Sequence, residues 1–419
     1  MATMLASAPA AHGADTPKKS DRWIIHEWGT FTSLQDESGK ALGGINSDDE
    51  PVPKFVHRLS DSLLLTSSQL SATNQVKGIP RCNPQVTMRL ETPVLYFHPP
   101  ASQPTAVGID VTAKFLGGWL SEYYPDAHAD APGFSSNSPI YGSLDAATVG
   151  TLAWKNLSVG GNWAGPATGE HVWTAPREVQ SASVRSDSGE SEKYLFYRGV
   201  GHIDAPLAVT QDAKAGELTL RSQLPPALNG NPKVRSLWLV DIRDDGTVAF
   251  RAAPSVTLAA SGQTVGKIPS RFVPGDYSSQ NLKKLKASMH DALVRDGLFD
   301  DEAAAMLNTW ELSYFKSAGT RLFFLVPRAW TDNYLPLTVS VPSDITRVMV
   351  GRIELITPAQ REILQKLWKI SAPQNPASTN AVNTYSQADE HQLYLNLGRF
   401  RDALVANEST RHLPASSTP

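Results

Sequence analysis

Cysteine is almost absent: Cys82 is the one thiol in 419 residues. No intramolecular disulfide can staple the fold, so stability has to come from a packed core. A lone thiol reads first as a small buried apolar side chain; acting as a nucleophile would require a histidine neighbour. Long apolar runs are missing too. The longest, Leu322-Phe323-Phe324-Leu325-Val326, has strand length, far below the roughly 18 residues of a membrane-crossing helix. No membrane span is therefore expected, and the chain reads as soluble. Basic runs are missing, and the formal net charge is only −3, which speaks against a nucleic-acid partner.

Loud catalytic signatures are equally scarce. There is no Walker A loop, and Gly199-Val200-Gly201 lacks the third glycine of a dinucleotide fingerprint. No Gly-x-Ser-x-Gly elbow occurs. His26-Glu27 has no second histidine at metalloprotease spacing, and a single cysteine rules out a zinc ribbon.

What is present is core material. Hydrophobic residues make up 41% and charged residues 19%, a balance that suits a globular chain and not a disordered one. Short β-patterned runs separated by Gly, Pro, Ser and Asn clusters extend from residue 22 to about 275. They include Arg22 to Thr32, Val86 to Glu91, Val94 to His98 after Pro93, Thr105 to Phe115, Lys193 to Val200 and Ser236 to Arg243. Asp244-Asp245-Gly246 marks a hairpin turn between two of them. The expected fold is mainly β, a β-sandwich-like core over 22–275, with a loop-rich excursion at 125–192.

Helical periodicity comes late. Leu282, Leu285, Met289 and Leu293 form one apolar face and end at Gly297. Asp300 caps a second helix bearing Ala303, Met306, Leu307, Trp310 and Tyr314. This helical hairpin and the strands around it occupy 276–370 and are expected to pack on the core. Residues 371–388 read as a linker, 389–406 as a C-terminal helix and 407–419 as a loose tail. The stretch 1–21, with small apolar residues Met4 to Ala11, reads as a leader or disordered tail and points to periplasmic or secreted localisation.

Candidate chemistry rests on histidines and carboxylates near strand ends. His26, His98, His202 and Asp204 are candidate ligands of a Zn, Cu or Fe site, since imidazole and carboxylate suit those ions. His202 and Asp204 lie two apart and share a strand face, whereas His26 and Glu27 point to opposite faces. Glu27, Glu91 and Asp110 are candidates for metal-free acid–base catalysis, because an apolar setting raises a carboxyl pKa. The competing reading is ion pairing, as Arg89 with Glu91 suggests. Trp154, Trp163 and Trp173 fall in the excursion, where aromatic faces could stack on a sugar. A tryptophan more often pins a loop to the core.

Four segments carry a resemblance: His26-Glu27-Trp28-Gly29-Thr30-Phe31-Thr32-Ser33, Arg89-Leu90-Glu91-Thr92-Pro93-Val94, Lys193-Tyr194-Leu195-Phe196-Tyr197-Arg198-Gly199 and Gly319-Thr320-Arg321-Leu322. They resemble a group of exported hypothetical proteins of environmental bacteria, over most of the chain. The resemblance implies export and implies no activity. The leading functional expectation is an exported enzyme acting on an extracellular carbohydrate, similar polymer or small molecule through a His/carboxylate site, with or without a metal. The alternatives are a non-catalytic binding protein with a tryptophan platform, and a structural envelope protein.

Overall fold

The first strand, β1 (Trp23–Gln35), is rich in aromatic and β-branched residues and is buried along nearly its whole length. In the computed structural model, which describes residues 21–48, 50–60, 63–66, 82–135, 142–228, 230–371 and 386–412, β1 lies inside a 15-stranded mixed sheet. Its other main strands are β2 (Met88–His98), β3 (Ala106–Leu116), β4 (Gly118–Tyr124), β5 (Val149–Gly161), β6 (Leu195–Gly201), β7 (Leu237–Ile242) and β8 (Val248–Ala253). The helices α1 (Asn281–Arg295), α2 (Asp300–Thr309) and α3 (Glu311–Phe315) follow, then β9 (Gly319–Leu325), α4 (Arg328–Tyr334) and β10 (Ser343–Leu355). Three further helices are α5 (Pro358–Ser371), α6 (Gln387–Leu395) and α7 (Arg401–Arg411).

The central order is β5-β4-β6-β2-β1-β10-β9-β7-β8. β1 pairs antiparallel with β2 and parallel with β10. A three-stranded sheet (Leu207–Asp212, Glu217–Ser222, Thr264–Pro269) packs beside it. This is a β-rich fold with its helices concentrated in the C-terminal third, as the sequence pattern implies.

Both faces of the sheet are covered. Ile25, Phe31, Leu95 and Phe97 share one core with Val111, Leu152 and Trp154. On the other face Trp28, Tyr96 and Val350 pack with Leu285 and Met289 of α1 and Met306 of α2. The helical hairpin therefore covers the face to which the even-numbered residues of β1 point. A third core joins Leu34 to Leu364 of α5 and Leu404 of α7.

Two bulges change the sequence reading. Residues 86–91 and 94–98 are expected as separate strands, but 88–98 form the single strand β2, whose register shifts opposite Trp28–Thr30. Thr92 there has φ 50°, and the bulge admits Pro93, which would otherwise break a ladder. Inside the expected loop-rich excursion lies β5, 13 residues long. Its buried apolar side chains are Leu152 and Trp154, then Leu157 and Val159. The switch from even to odd falls at Asn156, with φ 52°, so the bulge disguises the alternation.

The expected C-terminal helix 389–406 is two helices, α6 and α7, parted at Gly398 (φ 79°), a conformation that suits glycine. α7 runs to Arg411, into the stretch expected to be loose. The second helix of the hairpin ends at Thr309, so Trp310 and Tyr314 sit beyond it, and Asp300 is its first residue, not its cap. Most of the expected leader (1–20), most of the linker (372–385) and the final residues (413–419) lie outside the described residues.

Candidate metal centre

His26 sits on β1 and His98 closes β2. In the antiparallel register His26 faces Tyr96, so His98, two residues on, occupies the same face. The bulge at Thr92 also sets which face the second half of β2 presents there. The third member comes from α2, which lies over this face. Glu302 is in the first helical turn, and Phe299 N donates to Glu302 Oε2 at 2.8 Å, as in half of a capping box.

The Glu302 carboxylate bridges the two imidazoles. His26 Nδ1 donates to Oε2 at 2.6 Å and His98 Nε2 donates to Oε1 at 3.0 Å. The Phe299 ring packs against both, with centroid distances of 4.5 and 4.9 Å. The side chains of His26, His98 and Glu302 are 4%, 15% and 0% exposed. Burial pushes the Glu302 carboxyl up, but the bonds from His26 and His98 outweigh it and lower its pKa to about 2.

One donor atom from each residue lies within 4.8 Å of the other two. Ligands of one tetrahedral zinc, each about 2.0–2.2 Å from the ion, lie a little over 3 Å apart. The cluster can therefore coordinate a metal, and it is the one such group among the described residues. Two histidines and a glutamate are a ligand set of catalytic zinc sites and, with a carboxylate, of non-heme iron sites; both leave a coordination position open.

The structure divides the expected ligand quartet. His26 and His98 meet; His202 and Asp204 lie elsewhere. Gly201 pairs with Met88 at the start of β2, whereas His98 closes the same strand. At about 3.3 Å per residue, the length of β2 puts roughly 30 Å between those ends. Glu302 is inconspicuous in the sequence because Asp300-Asp301-Glu302 reads as an ordinary acidic helix start.

The three candidate acid–base carboxylates are each engaged in ion pairs. Glu27 points to the face opposite His26, as alternation requires. It accepts from Arg347 Nε at 2.5 Å and from the Tyr197 hydroxyl. Glu91 accepts from Arg399 at 2.7 Å, Thr32 at 2.9 Å and the Tyr314 hydroxyl. Burial opposes its charge, but Arg399, Arg352 and Arg89 hold its pKa well below the usual range, opposite to a general acid. Asp110 pairs with Lys155 at 2.8 Å on the surface, where the desolvation expected to raise its pKa is lacking.

The tryptophan platform does not assemble. Trp154 and Trp173 are buried, their indole N–H groups bonded to Pro125 O and Glu192. Trp163 is half-buried under Arg185. Buried indoles pin this region to the core and leave no row of faces for a ligand. Cys82 is buried, and burial pushes its thiol up to about 12, which removes the thiolate a nucleophile needs.

No family model and no curated protein matches this chain. Among solved structures, the Fcho1 Mu homology domain of Danio rerio with bound Eps15 peptide aligns with 81% of this chain and 97% of that one. The identity is 8% and the TM-score 0.28, too distant to bear on fold or function.

Proposed function

We propose that the chain is an exported, metal-dependent enzyme that acts on an extracellular carbohydrate or similar polymer, with its ion held by His26, His98 and Glu302. The observation that carries this reading is the buried His/His/Glu cluster drawn from three separate elements, with donor atoms within 4.8 Å of one another. Assembling two imidazoles and a carboxylate in a dry site is costly unless the charges are paired or ligate a metal.

His26 and His98 would supply neutral nitrogen donors and Glu302 the charge that favours a divalent ion. A metal in such a set supplies an acidified water or a polarised substrate oxygen. Phe299 is 43% exposed although it packs on both imidazoles, so its free face suits stacking against a sugar ring beside the ion. Export is supported by the small-residue stretch Met4 to Ala11 and by the resemblance of the His26–Ser33 segment to exported bacterial proteins.

Elemental analysis of the purified protein tests the reading. About one Zn, Fe or Cu per chain is expected. His26→Ala, His98→Ala and Glu302→Ala should each weaken metal binding by more than about 100-fold, beyond the effect of losing an outer partner. Chelation should abolish hydrolysis across a polysaccharide panel, and metal return should restore it. Metal-free protein that takes up none of these ions, or undiminished binding in the triple variant, would overturn it.

A further inference from the structure

A cleft lies at the other end of β2, around the two residues that the metal cluster leaves out. His202, Asp204, Lys40, Arg221, Thr87 and Tyr334 line a cleft of about 890 Å³. That is the size of a small-molecule site, typically about 300–1,000 Å³.

The cleft is built by fixed parts. Asp36 Oδ1 accepts from the backbone N–H groups of Ser38 and Lys40 at 2.9 and 3.1 Å, which locks the turn that presents Lys40. His202 follows β6, with its backbone N–H bonded to Gly117 O at 2.7 Å. Its Nδ1–H donates to Gln85 O at 2.7 Å. A carbonyl only accepts, so Nδ1 carries a proton, and in the neutral ring Nε2 is left as an acceptor. Arg221 lies on the central strand of the three-stranded sheet and makes a 3.3 Å bond to Gly262 O. Neither Lys40 nor Arg221 has a carboxylate in ion-pair range among the described residues. Burial and the Asp204 charge push the Tyr334 phenol up, so it remains a donor.

Two unpaired cations at a concave site call for an anion. Two acceptors, His202 Nε2 and the Asp204 carboxylate, call for donors, which hydroxyl groups provide. We infer that this cleft binds a small polyhydroxylated anion of one to two sugar rings, with Lys40 and Arg221 taking its charge and His202 and Asp204 its hydroxyls. The charged group is a carboxylate or a phosphate. The inference does not rest on the metal cluster, which is roughly 30 Å away along β2.

Calorimetric titration of the full chain tests it with four probes: D-galacturonate, glucose 6-phosphate, inorganic phosphate and D-galactose. Saturable binding is expected for galacturonate or glucose 6-phosphate, at least about tenfold tighter than for galactose, which lacks the charge-assisted bond, or for inorganic phosphate, which lacks the hydroxyl contacts. The acid that binds identifies the charged group. Lys40→Gln with Arg221→Gln should weaken binding at least about tenfold, and His202→Ala should weaken it as well. Both cations are exposed, so the fold should survive, as a circular dichroism spectrum would check. The inference is overturned if neither sugar acid binds, if galactose or inorganic phosphate binds as tightly, or if the double variant binds like the parent.

Discussion

Glu27 and His26 are neighbours in sequence with unrelated work, because a strand sends consecutive side chains to opposite faces. His26 turns toward the helical hairpin and Glu302; Glu27 turns toward Tyr197 and Arg347. Arg347 is directly opposite Glu27 on the parallel neighbour β10, and both are buried. Glu27→Ala strands a buried guanidinium. Breaking such a pair typically costs about 3–5 kcal/mol. The lower end is expected here, since Asp332 and Leu335 O still accept from Arg347. Urea denaturation reads the loss, and a change below about 1 kcal/mol would contradict it. The residue scale also shows what one sequence conveys about a site. His26 and His98 are legible as candidate ligands because each sits in an apolar strand where imidazole stands out. Their partner is not. Glu302 meets them across more than two hundred residues, and nothing local distinguishes it from a helix-start acid.

At the scale of elements, regular alternation was easy to read and bulged strands were not. β7 and β8 were legible, joined at a turn where Gly246 has φ 78°. A Cβ at Gly246 would meet nothing within 4 Å, so a substitution there tests backbone conformation alone. Gly246→Ala should destabilise by about 1 kcal/mol, measured as a lower denaturation midpoint with an unchanged slope. β2 and β5 are hard to read because Pro93 divides the one, and in both a positive-φ residue, Thr92 or Asn156, switches mid-strand which parity faces which core. The same bulge lets Glu91 and His98, an odd and an even position, face the helices together. A feature that hid a strand in the sequence thus helps to place a candidate ligand.

At the scale of the molecule, buried charge ties distant parts to one sheet. Glu91 of β2 is held by Arg399, just before α7, by Arg352 of β10 and by Arg89 of its own strand. Its folded pKa lies below its unfolded value near 4.5. Its contribution is therefore present above that value and is lost as pH falls from about 4.5 through the folded pKa. Stability measured from pH 6 down to pH 3 should drop in this window. Glu91→Gln should be less stable at pH 7 and show a shallower acid slope, while an unchanged slope would remove Glu91 as a source. Spacing announces only the Arg89–Glu91 pair of this network; Arg352 and Arg399 are brought to it by the fold, from more than two hundred residues away.

The parallel pairing of β1 with β10 has a consequence for how the chain comes into being. Glu27 and Arg347, cross-strand partners, are 320 residues apart. One edge of β1 can be covered once β2 has left the ribosome. At synthesis rates of about 5–20 residues per second, the other stays bare for on the order of tens of seconds. The innermost strand of the finished sheet is thus the one exposed longest at birth. Its sticky edge, rich in aromatic and β-branched residues, makes the nascent chain a natural client for a holding chaperone.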